Sequence, residues 1–250
     1  MEYEFVKVGK RDHISIVTIN RPEVYNAVHP PLSLELDQVW NEFIEDSEQW
    51  VAVLTGAGDK AFSAGNDLKY SAQPGKYKVQ QPKSGFAGLT NRFDRTKPII
   101  AAVNGFAMGG GMETALSCDI ILASENAKFA LPEVKVGFFA AAGGVQRLSR
   151  QIGKKAALEM ILTGRSVDAK EALKLGIVND VFSQSELLDK AIEKAKIIAG
   201  NCPSSIKYSL EALNHMDQLE EISSALEKSY ELIDLLRQTE DHKEGVSAFV

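Results

Sequence analysis

Two glutamates stand where a carboxylate can do acid–base work. Glu113 follows a triple glycine, in Gly109-Gly110-Gly111-Met112-Glu113, and Glu133 follows a proline, in Ala130-Leu131-Pro132-Glu133. Consecutive glycines let backbone N–H groups approach a ligand without a Cβ in the way, and this run reads as the opening of a helix. Unpaired amides at a helix N-terminus suit an oxygen that gains negative charge. Two carboxylates beside such donors supply the parts for adding water across a polarised double bond, one moving a proton at carbon while the other handles water. A plain structural reading competes: Glu133 capping a turn, Glu113 placed for the helix dipole, and the glycines serving close helix–strand packing.

The elements that must position these residues alternate between strand and helix. Apolar, β-rich runs predict strands at Ile14 to Ile19, Trp50 to Thr55, Pro98 to Val103 and Asp119 to Ala123. A helical pattern runs from Leu32 to Ile44, with Leu32, Leu36, Val39, Trp40 and Phe43 on one broad side. The order indicates an α/β core with turns clustered on one side of a sheet. From about Lys154 onward helical spacing takes over: Lys155 to Leu162, Asp168 to Leu175, Ser185 to Ala199, Ser204 to His215 and Leu219 to Leu236. This tail is too amphipathic to stand alone and is expected to cap the core and pack against other subunits.

Composition removes several classes of function. The 250-residue chain is 44% hydrophobic and 25% charged, with a formal net charge of −6 and a pI near 5.4. That balance gives no footprint for nucleic acid or an anionic membrane. No apolar run approaches the ~20 residues of a membrane span. Met1-Glu2-Tyr3-Glu4-Phe5 carries two acids and no apolar leader, so a cytoplasmic protein is expected. Cys118 and Cys202 are expected to be free thiols. The histidines show no metal-ligand spacing and no serine sits in a nucleophile elbow, so neither a metal centre nor a hydrolase triad is expected. Between Lys69 and Lys83 lie four lysines (Lys69, Lys76, Lys78 and Lys83) and no acid. This inversion of charge reads as a solvated loop, or as a lid whose ammonium groups meet a phosphorylated ligand.

The glycine motifs resemble those of the crotonase, or enoyl-CoA hydratase/isomerase, superfamily. Ala61-Phe62-Ser63-Ala64-Gly65-Asn66-Asp67-Leu68 is similar to its first oxyanion-hole motif, and Val103 to Glu113 to its second. Phe129 to Glu133, Gly143-Gly144-Val145-Gln146-Arg147-Leu148, Leu162 to Arg165 and Glu244 to Phe249 follow in the family's order. The resemblance implies an α/β fold: a superhelix of β-β-α turns over residues 1–190, then a helical trimerisation region over 191–250. It implies a homotrimer or a dimer of trimers, and an acyl-CoA thioester as substrate, CoA being part of that substrate and no separate cofactor being needed. It places the two oxyanion donors on the backbone N–H groups of Asn66 and Gly110, and gives Glu113 and Glu133 the acid–base roles of the hydratases. Ala64, Asp67, Leu68 and Lys69 are then expected along the CoA thioester, together with Asn66, Gly110 and Phe138.

The chain departs from the family pattern at three places. Phe138-Phe139-Ala140-Ala141-Ala142 stands where relatives usually have Pro-Gly or Pro-Asp, making that wall of the acyl pocket more apolar. Asn66 replaces a small residue, with a side chain suited to reach substrate or to brace the turn. The sequence lacks the family's basic C-terminal stretch, so CoA affinity is expected to lean on the lysine-bearing loop. The leading expectation is hydration of a short or medium 2-enoyl-CoA. Close alternatives are a carnitinyl-CoA dehydratase-type activity, which Ser84 to Thr90 resembles, and an enoyl-CoA isomerase, which generally needs only the glutamate after the proline. From another class stand an RNA-binding protein on the same scaffold and a non-catalytic homologue.

Overall fold

The computed structural model describes residues 3–73 and 81–218, with scattered positions from 231 to 244. The chain winds between two sheets. The larger has the order β1 (Val6–Arg11), β2 (Ile14–Ile19), β3 (Val51–Gly56), β5 (Ile99–Val103), β7 (Ile120–Ser124) and β10 (Asp180–Phe182). Only the β1–β2 pair is antiparallel in that sheet. The smaller sheet runs β4 (Ala61–Ser63), β6 (Phe106–Met108), β8 (Lys128–Ala130) and β9 (Ser166–Asp168). After β3, β5 and β7 the chain steps into the smaller sheet as β4, β6 and β8. It then returns through α2 (Leu68–Ser71), α3 (Gly110–Leu116), or α4 (Gly144–Gln151) after a 3-10 turn at Pro132–Val136. These are the β-β-α turns that the motifs implied.

The central strands of the larger sheet are buried on both faces, which is why they read as continuous apolar runs. Val51, Val53, Ile100, Ala102 and Leu122 point to one side, against Leu187, Ala191, Ile192 and Ala195 of α7 (Leu187–Ala199). The alternate residues Ala52, Leu54, Ala101 and Val103 point inward to the spiral's core. There they meet α1 (Pro30–Glu45), whose Leu32, Leu36, Val39, Trp40 and Phe43 are buried as the spacing predicted. Trp40 Nε1–H donates to Ala87 O at 3.1 Å, giving the buried indole its hydrogen bond. Successive turns are stitched by amide side chains. Asn104 Nδ2 donates to Gly56 O and Gly58 O, both at 2.8 Å, tying the β3–β4 turn to the end of β5.

The region from Lys154 is not wholly helical. Between α5 (Lys154–Thr163), α6 (Ala169–Leu175) and α7 lie β9, paired antiparallel to β8, and β10, which extends the larger sheet beside β7. Three-residue strands are too short to show a period of two, and Asp168 doubles as the N-cap of α6, so helical spacing masked them. The division at residue 190 falls inside α7, whose buried face seals the larger sheet. After α7 the chain continues as α8 (Pro203–Gln218), and the helix predicted from Leu219 to Leu236 lies largely outside the described residues. Cys118 is buried and free, its thiol pushed up to about 12 by burial, and half-buried Cys202 is also free. Among the described residues no helix is long and apolar enough to cross a membrane.

Candidate active site

Three loops at the ends of the smaller sheet meet at the start of α3. The first leaves β4. Ser63 Oγ donates to Asn26 O at 2.8 Å and accepts from Gly65 N–H at 3.1 Å, closing a tight turn. Gly65 has φ +85°, and a Cβ there would lie 2.4 Å from Met108 O and 2.9 Å from Gly110 N. Only glycine lets this turn press against the second motif. Val28 then bridges to Asn66 in parallel fashion, with Val28 N–H donating to Gly65 O at 2.7 Å and Asp67 N–H to Val28 O at 3.0 Å. A parallel bridge uses the groups flanking Asn66, so its own N–H is turned away from Val28.

The second loop is the triple glycine. Gly109 adopts φ +54° as the N-cap of α3, and a Cβ on it would stand 2.7 Å from Glu133 Oε1. Gly110 is the first residue of the helix, so its N–H has no intrahelical acceptor. A Cβ at Gly110 would strike the Phe86 ring at 2.6 Å, and one at Gly111 would meet Ser63 O at 2.1 Å. Close helix–strand packing thus accounts for Gly111. Gly109 and Gly110 instead keep space between Glu133, Phe86 and a free amide.

Glu113 lies in the first turn of α3 and is 4% exposed. Its Oε1 accepts from Gly144 N–H at 2.9 Å. Burial pushes its pKa up to about 7, the charge of Glu133 adds to that, and the Gly144 and Ala142 amides with Arg147 oppose it. Glu133 sits half-buried on the 3-10 turn that follows β8, where Pro132 starts the turn and Gly137 ends it at φ +78°. Burial raises its pKa as well. Its Oε2 is buried without a hydrogen-bond partner, a position better tolerated by a neutral carboxyl than by a carboxylate. The two acids therefore flank one helix start, and their charges feel each other. Such a site can bind a carbonyl oxygen, remove a proton from water and supply one to carbon.

The remaining expected contacts divide. Ala64, Asn66, Leu68 and Lys69 are exposed beside the first loop, Asn66 Nδ2 reaching Ser71 Oγ at 3.5 Å within the turn. Asp67 is turned inward: Oδ1 accepts from Tyr70 N–H to cap α2, and Oδ2 accepts from Arg21 Nη1–H, each at 3.0 Å. Phe138, 59% exposed, stands just past Glu133, whose carbonyl accepts its N–H at 3.0 Å. Lys83 is exposed, whereas Lys76 and Lys78 lie outside the described residues, as does the C-terminal motif apart from Glu244. Among the described residues no cluster of His, Cys, Asp or Glu could hold a metal ion.

Several contributors went unforeseen. Gly144 was visible only as part of a motif; its bond to Glu113 spans 31 residues. Phe86 was visible only within the Ser84 to Thr90 segment, and Arg21 carried no signal of its contact with Asp67. His29, N-capping α1 and packed edge-on against Phe5 and Tyr70, ties the first loop to the N-terminal strand region. Its pKa is lowered to about 4, by burial first and then by Arg21, so it remains neutral.

Comparison with known proteins identifies the family. The model of the Enoyl-CoA hydratase/isomerase family matches residues 9–250. The chain is 42% identical to a short-chain-enoyl-CoA hydratase of Clostridium acetobutylicum, over all of this chain and 96% of that protein. It is 46% identical to a carnitinyl-CoA dehydratase of Citrobacter koseri, over 76% of this chain and 72% of that one. The crystal structure of an enoyl-CoA hydratase from Mycobacterium tuberculosis superposes with a TM-score of 0.90 at 35% identity, covering 98% of this chain and 95% of that one. The chain belongs to the enoyl-CoA hydratase/isomerase family.

Proposed function

We propose that this chain adds water reversibly across the double bond of a 2-enoyl-CoA thioester. The observation that carries this reading is the pairing of Glu113 and Glu133 around the start of α3, beside the close approach of Gly65 to Gly110 N. In the reaction, the amides of Asn66 and Gly110 donate to the thioester oxygen and hold it as negative charge develops there. Losing one such donor typically costs about 2.7–4 kcal/mol of transition-state stabilisation. Glu113, ionised, takes a proton from water while the water oxygen bonds to Cβ. Electron density shifts onto the thioester oxygen as an enolate. Glu133, neutral, then gives its proton to Cα, leaving a 3-hydroxyacyl-CoA. A proton passing from Glu113 to Glu133 restores the start, and the reverse order eliminates water.

Burial raises the pKa of both acids and two interacting carboxylates titrate as a pair, so the division of roles rests on the family resemblance. A dehydratase reading of the carnitinyl-CoA type has its own support in the 46% identity and in Phe86, which falls within the resembling segment and lies against Gly110. The decisive assay follows the enoyl-thioester absorbance with crotonyl-CoA beside crotonobetainyl-CoA. Turnover of crotonyl-CoA supports the first reading, turnover of crotonobetainyl-CoA alone the second, and turnover of neither sinks both. The family resemblance also supports a trimer or a pair of trimers, and exposed Val136, Leu158 and Leu162 offer apolar surface for such contacts. Unpaired Cys118 and Cys202 suit a reducing compartment such as the cytoplasm.

A further inference from the structure

One half-buried cation near Glu113 lacks a carboxylate of its own. Arg147 projects from α4, where its neighbours in space are each paired: Arg92 with Asp37 at 2.6 Å and Arg95 with Asp119 at 2.8 Å. Arg147 makes no such pair among the described residues. Its guanidinium instead donates to two carbonyls, Thr90 O at 2.6 Å and Ala142 O at 3.4 Å, and stacks over the Phe93 ring at 5.5 Å. A half-buried charge without a counter-charge still loses solvation, which something nearby must offset.

The geometry shows what offsets it. Arg147 folds back over the turn that leads into its own helix, so closely that a Cβ on Gly143 would lie 2.0 Å from Nη1. The other side of this turn carries Gly144 N–H, which holds Glu113 Oε1 at 2.9 Å. One three-residue segment thus has a guanidinium on one side and a carboxylate on the other. A Cβ on Gly144 would come within 3.0 Å of Glu113 Oε1, so no side chain intervenes there.

We propose that Arg147 is a positioning residue for the reaction at Glu113: its two-pronged grip fixes the Ala142–Gly144 segment on the carboxylate, and its charge favours the ionised form that accepts a proton. This rests on Glu113 being the base of the hydration reaction. The charged groups acting on Glu113 are Glu133 from the 3-10 turn, which opposes ionisation, and Arg147 from α4, which favours it, together with the amides of Ala142 and Gly144. Burial first, then Arg95 and Arg150, disfavour charge on Arg147, while Glu113 supports it. Arg147 therefore works against both burial and the second glutamate.

Two variants separate grip from charge. Arg147→Lys keeps the charge but offers a point donor in place of a planar fork. Arg147→Gln removes the charge. The measurement is kcat and KM for crotonyl-CoA hydration across pH, with infrared difference spectra of the Glu113 carboxyl (each protein minus its Glu113→Gln counterpart) over the same range. For Arg147→Lys the expected result is a fall of about tenfold in kcat with KM little changed and the acidic limb where it was. For Arg147→Gln the acidic limb and the infrared titration both move to higher pH. Wild-type kcat in Arg147→Lys overturns the grip, and a Gln variant whose limb and carboxyl band titrate as in wild type overturns the charge effect. If Arg147→Gln does not fold, Arg147→Lys still decides the positioning role. A wild-type protein that hydrates nothing, yet shows the infrared shift on Arg147→Gln, would fail the hydratase reading while leaving the coupling intact.

Discussion

Arg21 Nη1 lies 3.0 Å from Asp67 Oδ2, and the two side chains are only 13% and 11% exposed. This ion pair anchors the residue next to Asn66, and Asp67 spends its other oxygen capping α2. It belongs to the scaffold of the first loop. Removing one partner of a buried pair leaves the other uncompensated. Asp67→Ala is expected to lower stability by about 2–3 kcal/mol in urea unfolding. It is also expected to lower kcat for hydration more than it raises KM. A variant with unchanged stability and a large rise in KM alone would instead make Asp67 a direct CoA contact.

The pH dependence of activity has a definite sign. A base with a pKa of about 7 works only when ionised, so kcat/KM should rise as pH passes upward through about 7. The limb should be absent in Glu113→Gln, whose residual rate is flat in this range. A wild-type limb centred near the ordinary value of a free glutamate would contradict the effect of burial.

Stability should run the other way. The folded pKa of Glu113, about 7, lies above its ordinary 4.5, so the folded state keeps this proton longer than the unfolded chain does. The unfolded state therefore binds fewer protons between these values, and stability falls as pH rises from about 4.5 to about 7. Above pH 7 the ionised, buried carboxylate destabilises the fold by about 3 kcal/mol at most. Glu113→Gln should recover much of that, since Gln still accepts from Gly144 N–H. The check is a higher denaturation midpoint for the variant at pH 8 than at pH 5, each relative to wild type. A gain in stability with a loss of activity is the usual relation at a strained catalytic position.

Both glutamates should be needed for hydration. Glu113→Gln and Glu133→Gln are each expected to reduce kcat by about 10²–10⁴-fold, the range for a lost general acid or base. Full double-bond migration activity in Glu113→Gln, abolished in Glu133→Gln, would point to the isomerase reading instead.

Gly65→Ala tests the backbone rather than a side chain. Its φ of +85° and the 2.4 Å approach of a Cβ to Met108 O mean that the β4 loop must shift away from α3. The expected outcome is a folded protein destabilised by more than about 1 kcal/mol, with kcat down about 10²–10³-fold from loss of one donor. Unchanged kcat would separate the Asn66 amide from the chemistry.

Much of this arrangement was legible in the sequence wherever signals were local. β2, β3, β5 and β7 announced themselves as apolar runs because a sheet covered on both faces demands them, and α1 through its stripe ending at Phe43. The three-residue strands β4, β6, β8, β9 and β10 did not, being shorter than any detectable period. At the site, the glutamates and glycines stood out through type and spacing. Gly144, Arg147 and Arg21 act on residues 31, 34 and 46 positions away, and nothing local reports a contact of that range. The inward turn of Asp67 was likewise hidden, because the same aspartate reads equally as a ligand contact and as a helix cap.

The contact between Gly111 and the Ser63 carbonyl is made of main chain on both sides. The spacing of the two segments that carry the Asn66 and Gly110 amides is thus gauged by peptide thickness and does not depend on any rotamer. If Phe138–Ala142 walls the acyl pocket as the resemblance implies, mutations there retune which acyl groups fit while leaving that gauge untouched, so selectivity and reactivity are separately adjustable during divergence.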